Sequence, residues 1–271
     1  MSRVSRLDGT RFGPWALVTG ASSGIGRGFA EQLAANGINV VLAARRLSTL
    51  DEIGQELAQR HGIEFRTVRA DLSRPDFMDT VIEATRDLDI GLVVSNAGDM
   101  VMGEFLASPA DALVDEARLN VDAHLLLTHH FGQRLARRGR GGLLLVSSTA
   151  ALQGVPYSAN YAASKSYVFT LGQALHHELA AAGVHVTVLL PGATATPMLG
   201  RFGADKTAMG RLAMPVDACV ADALKALRAN RAVRVSGFMN RLLLVTTPRS
   251  ARTRLMGALS KTMAARLVTP V

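Results

Sequence analysis

The clearest indication of the fold of this 271-residue chain is residues 15–26, WALVTGASSGIG. The first five of these residues predict a short buried strand, and residues 24–36 have the apolar spacing of a helix. Gly20 permits the tight turn between them, Gly24 lets the backbone approach a pyrophosphate, and Gly26 lets helix and strand pack closely. The open N–H groups and dipole of the helix start favour phosphate. Although a plain tight turn is the alternative, the strand–turn–helix context predicts nucleotide binding by Gly20, Ser22, Ser23, Gly24, Ile25 and Gly26.

The alternation of strand and helix continues along the chain. Further strands are predicted at 39–43, 64–68, 91–94, 142–147, 184–190 and 232–236. Helices are predicted at 48–60, 158–182 and 217–229 and within 109–138, and residues 71–86 are predicted as a loop followed by a helix. The strands are apolar and show no alternating polar face, which is typical of a parallel sheet buried on both sides. With right-handed crossovers, this predicts an α/β fold: a Rossmann-type, doubly wound parallel sheet of about seven strands with helices on both faces.

The net charge of +8 belongs to the C-terminal part of the chain. Ten of the 30 basic residues and none of the 22 acidic residues follow Asp222, so residues 1–222 carry a net charge of −2. Nucleic-acid binding by the whole protein is therefore a poor explanation of the charge. The single cysteine excludes a disulfide framework and a cysteine-based zinc site. The N-terminus lacks the apolar run of a signal peptide, so we expect a cytoplasmic protein, with peripheral membrane contact as an alternative.

We expect one catalytic domain, 1–237, followed by a basic amphipathic extension, 238–271. Within the extension, residues 250–267 have helical spacing, with an apolar face formed by Leu255, Leu259, Met263 and Leu267. Such a helix packs on its own core or on a partner subunit, or it lies on an anionic membrane surface. Packing on its own core or on a partner subunit is commoner than membrane association.

The turns after the second, third and fourth strands predict further cofactor contacts. The second strand ends in Ala-Ala-Arg-Arg, without the acidic residue that bonds a ribose 2′-hydroxyl. A guanidinium suits a 2′-phosphate, so the sequence favours NADP(H), with Arg45 as the main contact and Arg46 as a secondary one. Asp71, beside Leu72, either accepts a bond from the adenine amino group or caps the next helix. After the fourth strand, Asn96, Ala97 and Gly98 allow a cofactor to lie against the backbone, with an ordinary strand-exit turn as the alternative.

Three polar residues form the candidate reactive group. Ser148 follows the fifth strand, and Tyr161 and Lys165 lie four residues apart on one helix face. A nearby ammonium lowers the pKa of a phenol, which would let Tyr161 exchange a proton with a carbonyl or alcohol oxygen. Ser148 would hold the same oxygen by a hydrogen bond.

Taken together, these motifs resemble those of the short-chain dehydrogenase/reductase family. The turn at 19–26 matches TGxxxGxG, Ser95–Gly98 is similar to NNAG, and Ser148 with Tyr161-x3-Lys165 matches the catalytic set. The resemblance covers about residues 13–237 and implies an NADP(H)-preferring carbonyl reductase that forms a homodimer or homotetramer. It also implies that Asn120 holds a relay water, that Lys165 bonds the nicotinamide ribose, and that the nicotinamide site includes Pro191, Gly192 and Thr194 or Thr196. Ser95 departs from the family pattern, which usually has Asn there.

The resemblance also implies that variable loops, here 153–158 and 193–215, select the small-molecule substrate. They are mainly apolar and contain Val155, Tyr157, Met198, Leu199, Phe202, Met209 and Met214. These residues suggest an apolar pocket, although their side chains could instead only pack the lid onto the body. The resemblance implies a lipid-like or steroid ketone, because similar family members with an Ala-Arg-Arg turn and a basic C-terminal extension reduce such substrates. A 3-oxoacyl carrier-protein reductase and a non-catalytic NADP(H)-binding sensor or scaffold are the alternatives. The His129-His130 pair lacks a third ligand nearby, so we expect no metal site.

Overall fold

The computed structural model of this chain describes residues 7–203, 210 and 212–268. Seven parallel strands form one sheet in the order β3-β2-β1-β4-β5-β6-β7. The strands are β1 (Trp15–Thr19), β2 (Asn39–Ala44), β3 (Phe65–Arg69), β4 (Ile90–Ser95), β5 (Gly141–Val146), β6 (Val184–Leu190) and β7 (Val233–Val235). The predicted doubly wound sheet is confirmed. Its strand order reverses between β1 and β4, and ligands bind at the carboxyl ends of strands at such a switch point.

Helices cover both faces of the sheet. They are α1 (Gly9–Phe12), α2 (Gly24–Ala34), α3 (Leu47–His61), α4 (Phe77–Thr85), α5 (Ala110–Ala117), α6 (Ala123–Arg138), α7 (Ala159–Glu178), α8 (Pro197–Arg201), α9 (Val216–Arg228), α10 (Phe238–Thr246) and α11 (Arg249–Val268). On one face Phe29 of α2, Leu50 of α3 and Leu224 of α9 pack into a fully apolar core. On the other face Val81 of α4 and Phe131 of α6 do the same.

The helix predicted within 109–138 is interrupted by one π-helical turn, Arg118–Asp122, between α5 and α6. This turn carries Asn120, which is fully buried. The Asn120 amide bonds the backbone N–H of Asp99 (3.0 Å), the carbonyl of Asp99 (2.8 Å) and the hydroxyl of Ser164 (3.1 Å). Wider turns of this kind are frequent at functional sites, and sequence periodicity does not reveal them.

Asp71 does not cap a helix, which corrects one of the two predicted roles. Helix α4 begins six residues later, at Phe77. One carboxylate oxygen of Asp71 instead accepts bonds from the N–H (3.2 Å) and the hydroxyl (2.8 Å) of Ser73, so it closes a local turn.

The C-terminal extension forms α10 and α11, and the predicted helix at 250–267 agrees closely with α11. Its predicted apolar face is wrong at Leu255, which is 49% exposed. The inward stripe consists of small residues: Thr253, Gly257, Ser260 and Ala264. A β-carbon on Gly257 would lie only 3.0 Å from Cγ of Pro156, so the small residues let α11 approach the loop before α7 closely. The side chain of Leu267 lies outside the described residues, as does the whole of Met209.

None of the helices in the described ranges combines the length and apolar character needed to cross a membrane.

Candidate active site

The glycine-rich turn lies between β1 and α2 at the switch point. Gly24 has a φ of +55°, a backbone conformation that residues with a β-carbon rarely adopt. A β-carbon on Gly26 would overlap the Gly20 carbonyl and lie 2.6 Å from the Asn96 amide nitrogen. Ser23 makes no side-chain bond to the first amides of α2 in the described structure. The turn therefore presents backbone N–H groups of a helix start, which is what a pyrophosphate needs.

The turn is fixed to the end of β4 by Thr19. Its hydroxyl accepts bonds from the N–H groups of Asn96 (3.0 Å) and Ala97 (3.1 Å), and the Asn96 amide donates to the Thr19 carbonyl (2.9 Å). These bonds bring the predicted Asn96–Gly98 segment beside the glycine-rich turn.

Ser95, the departure from the family pattern, has a partner that could not be identified from the sequence. Its buried hydroxyl lies 2.8 Å from Nδ1 of His124 on α6, whose Nε2 lies 3.2 Å from the Ala97 carbonyl. Burial, with the nearby Lys165 charge, lowers the pKa of His124 to about 3. The ring is therefore neutral near pH 7. Because a carbonyl only accepts, Nε2 carries the proton and Nδ1 accepts from Ser95.

Arg46, rather than Arg45, contacts the glycine-rich turn. Arg46 Nη2 donates to Ser22 Oγ over 3.1 Å, across the gap between the β2–α3 and β1–α2 turns. Arg45 is exposed at the end of β2. Arg46 is exposed as well, and the predicted order of the two arginines at a 2′-phosphate stays a prediction. Leu72, which was predicted as a cofactor contact after β3, is buried.

Asn120, Ser148, Tyr161 and Lys165 come from three separate stretches of the chain, because Tyr161 and Lys165 both lie on α7. These stretches meet near the ends of β4 and β5. Lys165 Nζ lies 5.8 Å from the centre of the Tyr161 ring and donates to the Val146 carbonyl (3.1 Å). The hydroxyl of Ser148 accepts from the Ala150 N–H (3.1 Å) and hydrogen-bonds the Tyr161 phenol, which lowers the pKa of that phenol.

Burial nevertheless raises the pKa of Tyr161 above its ordinary value of 10.0, and the charges of Glu116 and Asp99 raise it further. Burial also lowers the pKa of Lys165 to about 8, against the opposing effect of Glu116. The net direction of the Tyr161 pKa is therefore opposite to the lowering expected from the sequence, because burial outweighs the groups that favour the phenolate. The Lys165 ammonium bonds Val146, and Ser148 is the neighbour that favours the phenolate.

Two carboxylates near this group were not assigned a role from the sequence. Glu116 of α5 is buried and accepts bonds from the Val101 N–H (3.1 Å) and the Asn160 amide (2.8 Å). Asp99 pairs through both carboxylate oxygens with Arg201 of α8. A polar residue one turn before Asn120 was the available signal for Glu116, but helix periodicity alone does not show that it points inward.

The segment after β6 closes the other side of the site. Thr194 is buried and bonds the Gly192 carbonyl (3.1 Å), whereas a β-carbon on Gly24 would lie 3.2 Å from the Thr196 methyl. Of the two predicted threonines, Thr196 is therefore the one beside the glycine-rich turn. Pro191 is buried, and the Asn240 amide of α10 packs directly on Gly192. The extension thus reaches the segment that was expected to form the nicotinamide site.

Among the described residues, no group of three His, Cys, Asp or Glu side chains is arranged to hold a metal ion.

A doubly wound sheet with a glycine-rich phosphate turn, and with a Tyr, a Lys and a Ser at the switch point, defines a dinucleotide-dependent oxidoreductase. The short chain dehydrogenase family model matches residues 14–207. The chain belongs to this family, as its motifs predicted.

Known relatives resemble the chain over most of its length. The 7beta-hydroxysteroid dehydrogenase of Collinsella aerofaciens is 32% identical over 220 residues, which is 80% of this chain and 84% of that protein. A solved 7beta-hydroxysteroid dehydrogenase structure is 29% identical with a TM-score of 0.85, covering 92% of this chain and 98% of that chain. A short-chain dehydrogenase from Sphingobium yanoikuyae in complex with NADPH is 32% identical with a TM-score of 0.79, covering 90% and 95%.

Proposed function

We propose that this protein interconverts a ketone and a secondary alcohol on a bulky, steroid-like substrate through Tyr161, Ser148, Lys165 and Asn120. The chain is an NADP(H)-dependent oxidoreductase, as the sequence predicted and as its relatives support. The observation that carries the proposal is the meeting of the Tyr161 phenol and the Ser148 hydroxyl beside Lys165, next to a turn built for a dinucleotide.

The described residues fit NADP(H). The first amides of α2 are open to a pyrophosphate, and Arg46 with Ser22, helped by Arg45, would hold the 2′-phosphate. Asp71 and Leu72 would lie at the adenine, and Asn96–Gly98 along the cofactor. Thr196 and the Pro191-Gly192 pair would bound the nicotinamide. When bound, the reduced cofactor supplies the hydride for the carbonyl carbon.

The protein side chains would bind and protonate the substrate oxygen. Ser148 donates a hydrogen bond that holds the oxygen, and Tyr161 gives it a proton during reduction and takes one back during oxidation. A raised phenol pKa keeps Tyr161 protonated near neutral pH, which suits the reducing direction. Lys165, with a pKa of about 8, would resupply the proton, and Asn120 would hold the relay water.

The proposed substrate class rests on the apolar surroundings of the site. The Gly103 N–H donates to the Tyr157 carbonyl (2.9 Å), so the segment after β4 lies against the loop before α7. Val155 and Phe202 are buried, and Phe105 and Leu106 of the segment after β4 are exposed. A large apolar substrate would gain from burying such side chains. This agrees with the substrate class named for the 7beta-hydroxysteroid dehydrogenase relatives.

The experiment that tests the proposal is NADPH oxidation, followed by absorbance, over steroid, aliphatic and β-keto-ester carbonyls with the full chain. We expect turnover of a steroid ketone and a 10²–10³-fold loss of kcat in Tyr161→Phe, the size of a general-acid contribution. Tyr167→Phe, an exposed position on the same helix, is the matched control and should retain activity.

Three results would contradict the proposal. Full activity in Tyr161→Phe would remove the acid/base role. Turnover of carrier-bound 3-oxoacyl substrates alone would favour the carrier-protein reductase. Tight NADPH binding without turnover of any ketone would favour a sensor or scaffold.

We also propose a homo-oligomer. Val114 of α5, Leu125 of α6 and Tyr167 of α7 are exposed on neighbouring helices, and a second copy would bury them. Light scattering on the purified chain tests this. We further propose that residues 1–237 form the catalytic domain and residues 238–271 an extension. We also propose that the protein is cytoplasmic. Sedimentation with anionic vesicles tests the alternative of peripheral membrane contact through the basic extension.

A further inference from the structure

His124 is a buried side chain that the proposed mechanism does not use. It is 1% exposed and lies in the first turn of α6, directly after the π-helical turn that carries Asn120. Its Nδ1 lies 2.8 Å from the Ser95 hydroxyl, and its Nε2 lies 3.2 Å from the Ala97 carbonyl. These two bonds fix the orientation of the ring, because a flipped ring would present carbon atoms to both partners.

The Ser95 hydroxyl determines the direction in which the ring donates. A backbone carbonyl only accepts, so Nε2 donates to Ala97, and Nδ1 accepts from Ser95. Ser95 is the last residue of β4 and is itself 1% exposed, so solvent does not compete for its hydroxyl. The residue that departs from the family pattern thus orients the imidazole toward the Ala97 carbonyl.

We call residues 96–98, which would lie along the dinucleotide, the cofactor segment. The Thr19 hydroxyl of β1 accepts bonds from the N–H groups of Asn96 and Ala97, and His124 of α6 donates to the Ala97 carbonyl. Ala97 is therefore held through both its N–H and its carbonyl, from two different elements of the fold.

The end of the cofactor segment contacts two members of the candidate reactive group. A β-carbon on Gly98 would lie 2.9 Å from Lys165 Nζ and 3.0 Å from Asn120 Oδ1, so the backbone there has almost no room to move toward either group. The next residue, Asp99, bonds the Asn120 amide through both its N–H (3.0 Å) and its carbonyl (2.8 Å).

Asn120 and His124 therefore hold two points of one short stretch of backbone. They lie four residues apart in the chain, and their partners, Asp99 and Ala97, are separated only by Gly98. A shift of the backbone at Ala97 would be passed directly to Gly98, and from there to the groups that Gly98 contacts. The bond from His124 is thus placed to set the position of the whole stretch.

We propose that His124, oriented by Ser95, is a positioning residue for NADP(H): its bond to the Ala97 carbonyl holds the cofactor segment in the place that the cofactor needs. This inference rests on the function proposed above. His124 acts through the backbone of Ala97 and Gly98. Breaking the bond to Ala97 should therefore weaken NADPH binding, while the KM for the ketone at saturating NADPH changes little.

The test measures the dissociation constant for NADPH, from the fluorescence of the reduced nicotinamide, in His124→Asn and His124→Gln of the full chain. The Asn amide can bond Ser95 in place of Nδ1 but is too short for the Ala97 carbonyl, whereas the longer Gln amide can donate to it. We expect a rise of about threefold to tenfold in His124→Asn, the size of one lost hydrogen bond, and of less than about twofold in His124→Gln.

Thr128→Val is the matched control. Thr128 is buried one turn further along α6, and its hydroxyl has no hydrogen-bond partner among the described residues. The substitution changes a buried polar side chain of the same helix without touching the cofactor segment, so NADPH binding should be unchanged.

A merely structural role of His124 would give a different result. If the ring only filled the core, His124→Asn would lower the fraction of folded enzyme, which reduces kcat but leaves the dissociation constant of the folded molecules unchanged. That result would overturn the proposal. Equal rises in His124→Asn and His124→Gln would overturn it as well, because only the first variant loses the bond to Ala97.

Ser95 provides a second, milder test. Ser95→Ala removes the hydroxyl that orients the ring and should raise the dissociation constant for NADPH about twofold. Because Ser95 acts through His124, adding Ser95→Ala to His124→Asn should weaken binding no further, and additive losses would contradict the proposal. If His124→Asn does not fold, unchanged NADPH binding in Ser95→Ala would overturn it.

NADPH binding requires no turnover, so this inference and the proposed function fail separately. A wild type that binds NADPH but reduces no ketone would overturn only the proposed function. An NADPH affinity that is the same in wild type and in folded His124→Asn would overturn only the inference.

Discussion

The turn at 19–26 and helix α11 were both predicted from local sequence patterns, with different success. The turn lies where its glycines require it, because each constraint acts on the backbone within a few residues. Helix α11 forms as expected but is rotated, so that Leu255 is exposed and Ser260 is 4% exposed. Local sterics decided the turn, whereas the shape of the surface presented by Pro156 and Gly154 decided which face of α11 turns inward.

The largest test of this contrast is a large residue in the inward stripe of α11. Ser260→Leu should lower the free energy of unfolding by about 1–3 kcal/mol, because it overpacks a close helix contact. Leu255→Ser, on the exposed face, should change it by less than about 0.5 kcal/mol. Urea denaturation of both variants measures the difference. The reverse order would restore the face predicted from the sequence.

A second test uses the buried His124, which the sequence did not single out. Its pKa of about 3 lies below the unfolded value of 6.5, so the unfolded chain binds the extra proton first as pH falls. The buried neutral ring of His124 therefore contributes a constant amount to the free energy of unfolding above about pH 6.5. As the pH falls from 7 to 5, the free energy of unfolding decreases by about 2 kcal/mol on account of this group.

His124→Gln should remove that part of the pH dependence, as measured by urea midpoints at pH 7 and pH 5. His129→Gln, at an exposed position on the same helix, is the control. Equal pH dependence in wild type and His124→Gln would show that the ring is not buried in its neutral form.

The smallest expected effect concerns the arginines beside the turn. Arg46→Ala should raise the KM for NADPH about tenfold and leave that for NADH nearly unchanged, because it removes a charge-assisted bond to the 2′-phosphate. Arg45→Ala should have a weaker effect of the same kind. Steady-state kinetics with both cofactors decides the order, and a larger effect at Arg45 would confirm the ranking expected from the sequence.

The sequence was most informative where a motif carries its own geometry. The strand–turn–helix at 15–36, the apolar strands and the Tyr161–Lys165 spacing predicted the sheet and the candidate reactive group. It was least informative about inward-facing polar residues. Glu116 and His124 look like ordinary helix residues in the sequence, because the residues that they bond are distant in the chain. At two of these partners, Val101 and Ala97, the bonded group also belongs to the backbone, so the residue type carries no signal. The pKa of Tyr161 was misjudged for the same reason, since burial is a property of the packed site.

The family, the parallel sheet, the glycine-rich turn and the preference for NADP(H) could be predicted from the sequence, because they depend on residue type and short spacings. The folded chain was needed to show that Arg46 rather than Arg45 bonds Ser22, and that Thr196 rather than Thr194 lies beside the turn. It was also needed to show that α11 packs through its small residues. The reason is physical. Side-chain direction, desolvation and close approach depend on neighbours brought together by folding, and no local pattern in the chain encodes them.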